Sequence, residues 1–129
     1  MRKTVLLSLL MVFCSFEEGV EIVSLEHSDS CVVDVFKNSA KVDINVGPGV
    51  IHVIHHNAYL NCCLDDITLD IKMIGNIIEV YENEIVDEPC RCTCPFRVAF
   101  TIKVPSRGFY IMRIYTEGKL VYENGIFVP

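Results

Sequence analysis

Residues 67–82 read ITLDIKMIGNIIEVYE, and their alternation decides the fold class. On an extended chain Ile67, Leu69, Ile71 and Met73 share one face, and Thr68, Asp70 and Lys72 share the other. Gly75-Asn76 is a favoured two-residue hairpin turn. Closing the chain there sets Met73 against Ile78 and Ile71 against Val80 on one side. On the opposite side it sets Lys72 against Glu79, an opposite-charge pair contributing a few tenths of a kcal/mol, roughly. Turn chemistry and side-chain chemistry thus agree on one register.

The same period of two extends in both directions. Downstream, Phe96, Val98, Phe100, Ile102 and Val104 share a face across 96–104, and Pro105-Ser106-Arg107-Gly108 turns the chain. Residues 109–116 return with Tyr110, Met112 and Ile114 inward and Arg113 outward. Glu117-Gly118 turns into 119–123, and Asn124-Gly125 turns again into 126–128. Upstream, 20–26, 31–37, 41–46 and 50–56 read as further strands, separated by His27–Ser30, Asn38-Ser39 and Gly47-Pro48-Gly49. About eight or nine short strands at this spacing indicate an all-β sandwich or barrel. No crossover helices are legible, so the sheets are expected to be antiparallel. The architecture expected is an antiparallel immunoglobulin-like β-sandwich. The chain has no Trp, so the buried Trp of antibody domains is missing.

With 129 residues the chain is one domain's worth of sequence. Hydrophobic residues make up 51% and charged residues 22%, which excludes a disordered chain. The net charge of −6, with Arg91, Arg97, Lys103, Arg107 and Arg113 scattered, argues against a nucleic-acid partner. Residues 1–19 read as a signal peptide or lipoprotein-type leader, followed by a single domain over 20–129. Arg2 and Lys3 precede Thr4–Phe13, an apolar run of about ten residues. That is a signal-peptide core and half of what a membrane span needs. Cys14 is either the last residue before cleavage or, as a second possibility, a lipidated anchor. A first core strand of a cytosolic protein is the competing reading. Export implies a secreted, periplasmic or cell-surface protein with no transmembrane span in the mature chain.

Export also changes the meaning of the seven cysteines. Loss of the leader with Cys14 leaves six: Cys31, Cys62, Cys63, Cys90, Cys92 and Cys94. An even count outside the cytosol favours disulfides, in one of 15 pairings. If one strand runs unbroken through Pro95, Cys90, Cys92 and Cys94 share the core face with Phe96. Their partners are then Cys62, Cys63 and Cys31. Adjacent Cys62 and Cys63 project oppositely on a strand and so reach different strands. A disulfide closing about 30 residues contributes roughly 3–4 kcal/mol in the chain-entropy model.

The alternative is a zinc or copper site drawing on Cys62, Cys63, Cys90, Cys92, Cys94, His55 and His56. Tetrahedral zinc takes four thiolate or imidazole ligands, and copper(I) favours thiolates. On a flat strand Cys90 and Cys94 lie about 13 Å apart, so one ion collects them only if the chain bends near Pro89 or Pro95. A surface redox Cys-x-Cys has Arg91 in its favour and Asp87 and Glu88 against it. A cysteine nucleophile near His55 or His56 is a formal option only. His52 and His56 share strand parity and His55 opposes them, so a satisfied surface or edge role is the plain reading for these rings. Asp65-Asp66 and Glu82–Glu88 read as solvated loops without a calcium-loop pattern.

Asn61-Cys62-Cys63, Cys90-x-Cys92-x-Cys94-Pro95 and Gly108-Phe109-Tyr110 together resemble a group of small secreted bacterial β-sandwich proteins of unassigned function. The resemblance spans about residues 51–116. It implies export and a β-sandwich, and it implies no activity, cofactor or site residues. No G-x-S-x-G, H-E-x-x-H or P-loop is present. The expectation is therefore a non-enzymatic binding or accessory protein without a cofactor, its partner a protein or cell-envelope material.

Overall fold

The computed structural model describes residues 19–31 and 41–129. The leader reading and the strand expected over 31–37 lie, apart from Gly19 and Cys31, outside those residues. The described chain is all-β, with eight strands: β1 (Glu21–His27), β2 (Lys41–Gly47), β3 (Val50–Asn61), β4 (Asp66–Ile74), β5 (Ile77–Ile85), β6 (Thr93–Lys103), β7 (Gly108–Thr116) and β8 (Lys119–Val128). They form two four-stranded sheets, ordered β1-β6-β3-β2 and β4-β5-β7-β8.

The hairpin that set the fold class forms in the expected register, with Met73 opposite Ile78, Ile71 opposite Val80 and Lys72 opposite Glu79. Gly75 takes a φ of 61°, a left-handed conformation that glycine adopts without steric cost. The two inner faces meet in one apolar core. Ile51, Val53, Phe96, Val98, Phe100 and Ile102 come from the first sheet, and Ile67, Ile78, Val80, Met112 and Ile114 from the second. Each such side chain, fully buried, contributes roughly 1.5–3 kcal/mol.

The first sheet is antiparallel throughout, as expected. The second is not. β5 pairs with β7 in parallel, with Ile78 beside Met112, Val80 beside Ile114 and Glu82 beside Thr116. The chain leaves β5, crosses to the first sheet as β6, and returns as β7 beside β5, on the edge away from β4. A strand of the opposite sheet does the work of the crossover helix.

Two more strand expectations change. β8 runs continuously through Asn124-Gly125, where a turn was expected. Gly125 lies under the Phe109 ring, in the space a Cβ would take. This glycine therefore serves close packing, not a turn. β6 begins only at Thr93, so Cys90 and Cys92 precede the strand and are exposed, while Cys94 is half-buried at the core margin. The three sulfurs do not share a core face, because the chain reaches the sheet only after Cys92.

Candidate functional site

Two features stand out from ordinary core and ladder. The first is a cross-linked end. Cys31 bonds Cys94, Cys62 bonds Cys92 and Cys63 bonds Cys90, with Cα separations of 5.7, 5.6 and 5.6 Å. The chain turns at Cys62-Cys63, so strand alternation no longer applies to them. Both therefore reach one segment, 90–92, in place of the two strands expected. Asn61 organises the junction. Its Oδ1 accepts from the amides of Cys63 (2.9 Å) and Cys90 (3.1 Å), and its Nδ2 donates to the Cys90 carbonyl (2.9 Å). The Cys62 amide donates to the Cys92 carbonyl at 3.1 Å, prolonging the β3–β6 ladder. Asp65 Oδ2 accepts from the Asp87 amide at 2.7 Å, tying the acidic loop to the turn. The sulfurs of Cys31, Cys62 and Cys94 lie within 4.8 Å of one another.

The second feature is polar and lies inside the core. His55 of β3 is 1% exposed and Glu82 of β5 is 0% exposed. The His55 Nδ1–H donates to both Glu82 oxygens, at 2.9 and 3.0 Å, and the Thr116 hydroxyl of β7 donates to Oε1 at 2.8 Å. The bridge joins the two sheets, and the Glu82 carboxylate is satisfied by two donors. The His55 Nε2 is buried with no hydrogen-bond partner among the described residues. Beside it β3 bulges: between the pairs His55–Val98 and Ala58–Phe96, His56 and Asn57 stand against the single residue Arg97. Asn57 takes a φ of 57°, which Asn tolerates better than most residues. The bulge and the β7–β8 turn border a cleft of about 330 Å³ lined by His55, Asn57, Tyr59, Thr116, Glu117, Lys119 and Val121.

No family model, curated protein or solved structure matches the chain. Its reading therefore rests on the geometry of these two features.

The metal candidates divide between them. Cys62, Cys63, Cys90 and Cys92 are paired in disulfides at the cross-linked end, and Cys94 is bonded to Cys31. His55 points into the core. His56 lies on the opposite face of β3, its Nε2 2.9 Å from Asp43 Oδ2. The structure does not bring these two rings together. His52 hydrogen-bonds Thr101 Oγ1 at 2.9 Å on the outer face. The surface role read for histidines holds for His52 and His56 and fails for His55. The loop reading fails for Glu82, which is strand and core, and for Asp66 and Glu84, which lie in β4 and β5.

Parity signals three of the four buried polar residues, and the fourth, Asn57, lies in the bulge. His55 follows Ile51 and Val53, Glu82 follows Ile78 and Val80, and Thr116 follows Met112 and Ile114, each at spacing two. At the surface, two carboxyls are shifted by their neighbours. The Asp43 carboxyl is held below its ordinary value, mainly by the hydrogen bond from His56, with Lys41 assisting. Asp66 is held down first by the Ile67 backbone amide and then by His27.

Proposed function

We propose that this chain is an exported, non-enzymatic binding module, an immunoglobulin-like β-sandwich with one mixed sheet, whose cysteines serve structure. The observation that carries the reading is the concentration of three disulfides at one end. Glutathione and thioredoxin keep such bonds reduced in most cytosols, so they suit an oxidising compartment. Cross-linking fixes the turn at 62–65 and the loop at 86–92, and rigid loops bind without a large ordering cost. Asp65, Asp87 and Glu88 line a shallow pocket there with Cys63. A protein or envelope partner met at this end therefore presents positive charge.

The test is intact mass with thiol alkylation, with and without reductant, on the native protein, alongside elemental analysis and cell fractionation. Six blocked thiols in an exported, metal-free protein are expected. Free thiols in a cytosolic protein overturn the reading.

A second reading is favoured by one observation, the proximity of the Cys31, Cys62 and Cys94 sulfurs. In a reduced chain these three thiolates suit zinc or copper(I), with Zn–S near 2.3 Å. One metal per chain, lost in Cys62→Ser, would establish it in the same experiment.

A further inference from the structure

We propose that the cleft beside the β3 bulge binds the oxyanion end, carboxylate or phosphate, of a small organic molecule, through His55 Nε2 and Lys119.

Four observations converge on this cleft, whatever the cross-linked end binds. First, the His55 ring is anchored. Its Nδ1–H is committed to the two Glu82 oxygens, and Thr116 braces Glu82 in turn. A ring held in this way has a defined orientation, with Nε2 on the side turned from the carboxylate. Second, Nε2 is a buried polar atom without a partner among the described residues, and such atoms are rare because an unmade hydrogen bond costs about 1–3 kcal/mol. Third, His55 is among the residues lining a cleft of about 330 Å³, within the range that holds small ligands. Fourth, the charges select the ligand. With an oxyanion on Nε2 the ring would stand between two acceptors, that ligand and Glu82, and the two N–H groups of an imidazolium match that arrangement. Lys119 adds positive charge at the mouth and makes no salt bridge with the described residues. The nearby Glu117 carboxylate is already engaged by the Glu84 amide at 2.8 Å.

The Nε2 atom is closed to bulk water, so an incoming oxygen displaces side chains at the mouth. Lys119 is exposed at the start of β8, beside the β7–β8 turn. The expected complex has one ligand oxygen on Nε2–H and the charge shared with the Lys119 ammonium.

The experiment is an NMR titration of the oxidised, isotope-labelled chain, reading the His55 ring nitrogens and the Asn57, Thr116 and Lys119 amides. Separate arms use sodium acetate, inorganic phosphate and, at matched ionic strength, sodium chloride. A saturable shift of the His55 Nε2 signal with acetate, phosphate or both is expected, and the responding arm identifies the oxyanion. Lys119→Glu, a change on an exposed turn, is expected to weaken that binding at least about fivefold with the spectrum of the core unchanged. His55→Gln is expected to abolish the site. If that variant does not fold, Lys119→Glu carries the test alone. Three results overturn the proposal. One is no saturable response at roughly 50 mM, where a site with a Kd of about 1 mM is filled. The others are an equal response to chloride and a response unchanged by Lys119→Glu.

Discussion

His55, Glu82 and Thr116 form a hydrogen-bonded polar unit in an apolar interior. Its pieces are interdependent, because removing one strands the others without water to replace it. Glu82→Ala is expected to cost about 3–5 kcal/mol in urea unfolding, the usual penalty for breaking a buried pair. Replacing both partners by apolar residues, as in His55→Met with Glu82→Leu, is expected to cost less than Glu82→Ala alone. Equal or greater loss in the double variant would refute that account. Thr116→Val removes one of the carboxylate's two donors and is expected to cost about 1–2 kcal/mol by the same measurement. These three residues were legible by parity, yet a polar residue at a core position reads as an exception until its partners are known. Glu82 belonged to an acidic run, and composition there outweighed period. On the surface, Asp43 and Asp66 have depressed folded values relative to 3.8. A depressed carboxyl contributes stability that is present above its unfolded value and lost as pH falls through the folded one. Asp66→Asn is therefore expected to flatten the fall in stability below about pH 4, with little change at pH 7. A steeper acid limb in that variant would contradict the assignment.

Among the strands, register was readable wherever a turn and two apolar faces agreed. The β4–β5 hairpin met both conditions. Its cross-strand charge pair did not follow from register, however. Glu79 sits beside Arg113 of β7, at 3.6 Å, and accepts from the Tyr81 hydroxyl at 2.9 Å. Lys72 instead lies 5.7 Å from the centre of the Tyr81 ring, which stacks on Tyr115 at 4.8 Å. β5 is an inner strand with two neighbours, and the second neighbour was invisible from the hairpin alone. Arg113 also bonds Glu123 at 2.8 Å, which holds its guanidinium above its ordinary value. Arg113→Ala is accordingly expected to destabilise more than Lys72→Ala in chemical unfolding. The reverse order would show that Lys72, not Arg113, serves Glu79. Asn124-Gly125 misled for a related reason. A turn dipeptide and a strand glycine covered by an aromatic ring have the same letters, and the ring comes from β7.

For the molecule as a whole, the cross-linked end dominates. Cys31–Cys94 joins residues 63 apart, while Cys62–Cys92 and Cys63–Cys90 span 30 and 27. In the chain-entropy model these correspond to about 4 kcal/mol for the long loop and about 3.5 kcal/mol for each short one. The loops overlap, so the three contributions do not add. The paired variant Cys62→Ser with Cys92→Ser is expected to lose roughly 2–4 kcal/mol in thermal or urea unfolding under non-reducing conditions. A loss under about 0.5 kcal/mol would show the bond to be structurally idle.

The sequence by itself determined that the chain is all-β, where most strands lie, the register of one hairpin, and which six cysteines belong together. Those are local properties: side-chain period, turn dihedrals and residue counts act over a few positions. Only the tertiary structure decided the parallel pairing of β5 with β7, the pairing of the cysteines, and the meeting of His55 with Glu82 and Thr116. Each of these depends on which strands become neighbours across the two sheets. That choice is made by burial of the whole apolar surface at once, and no short window of sequence contains it.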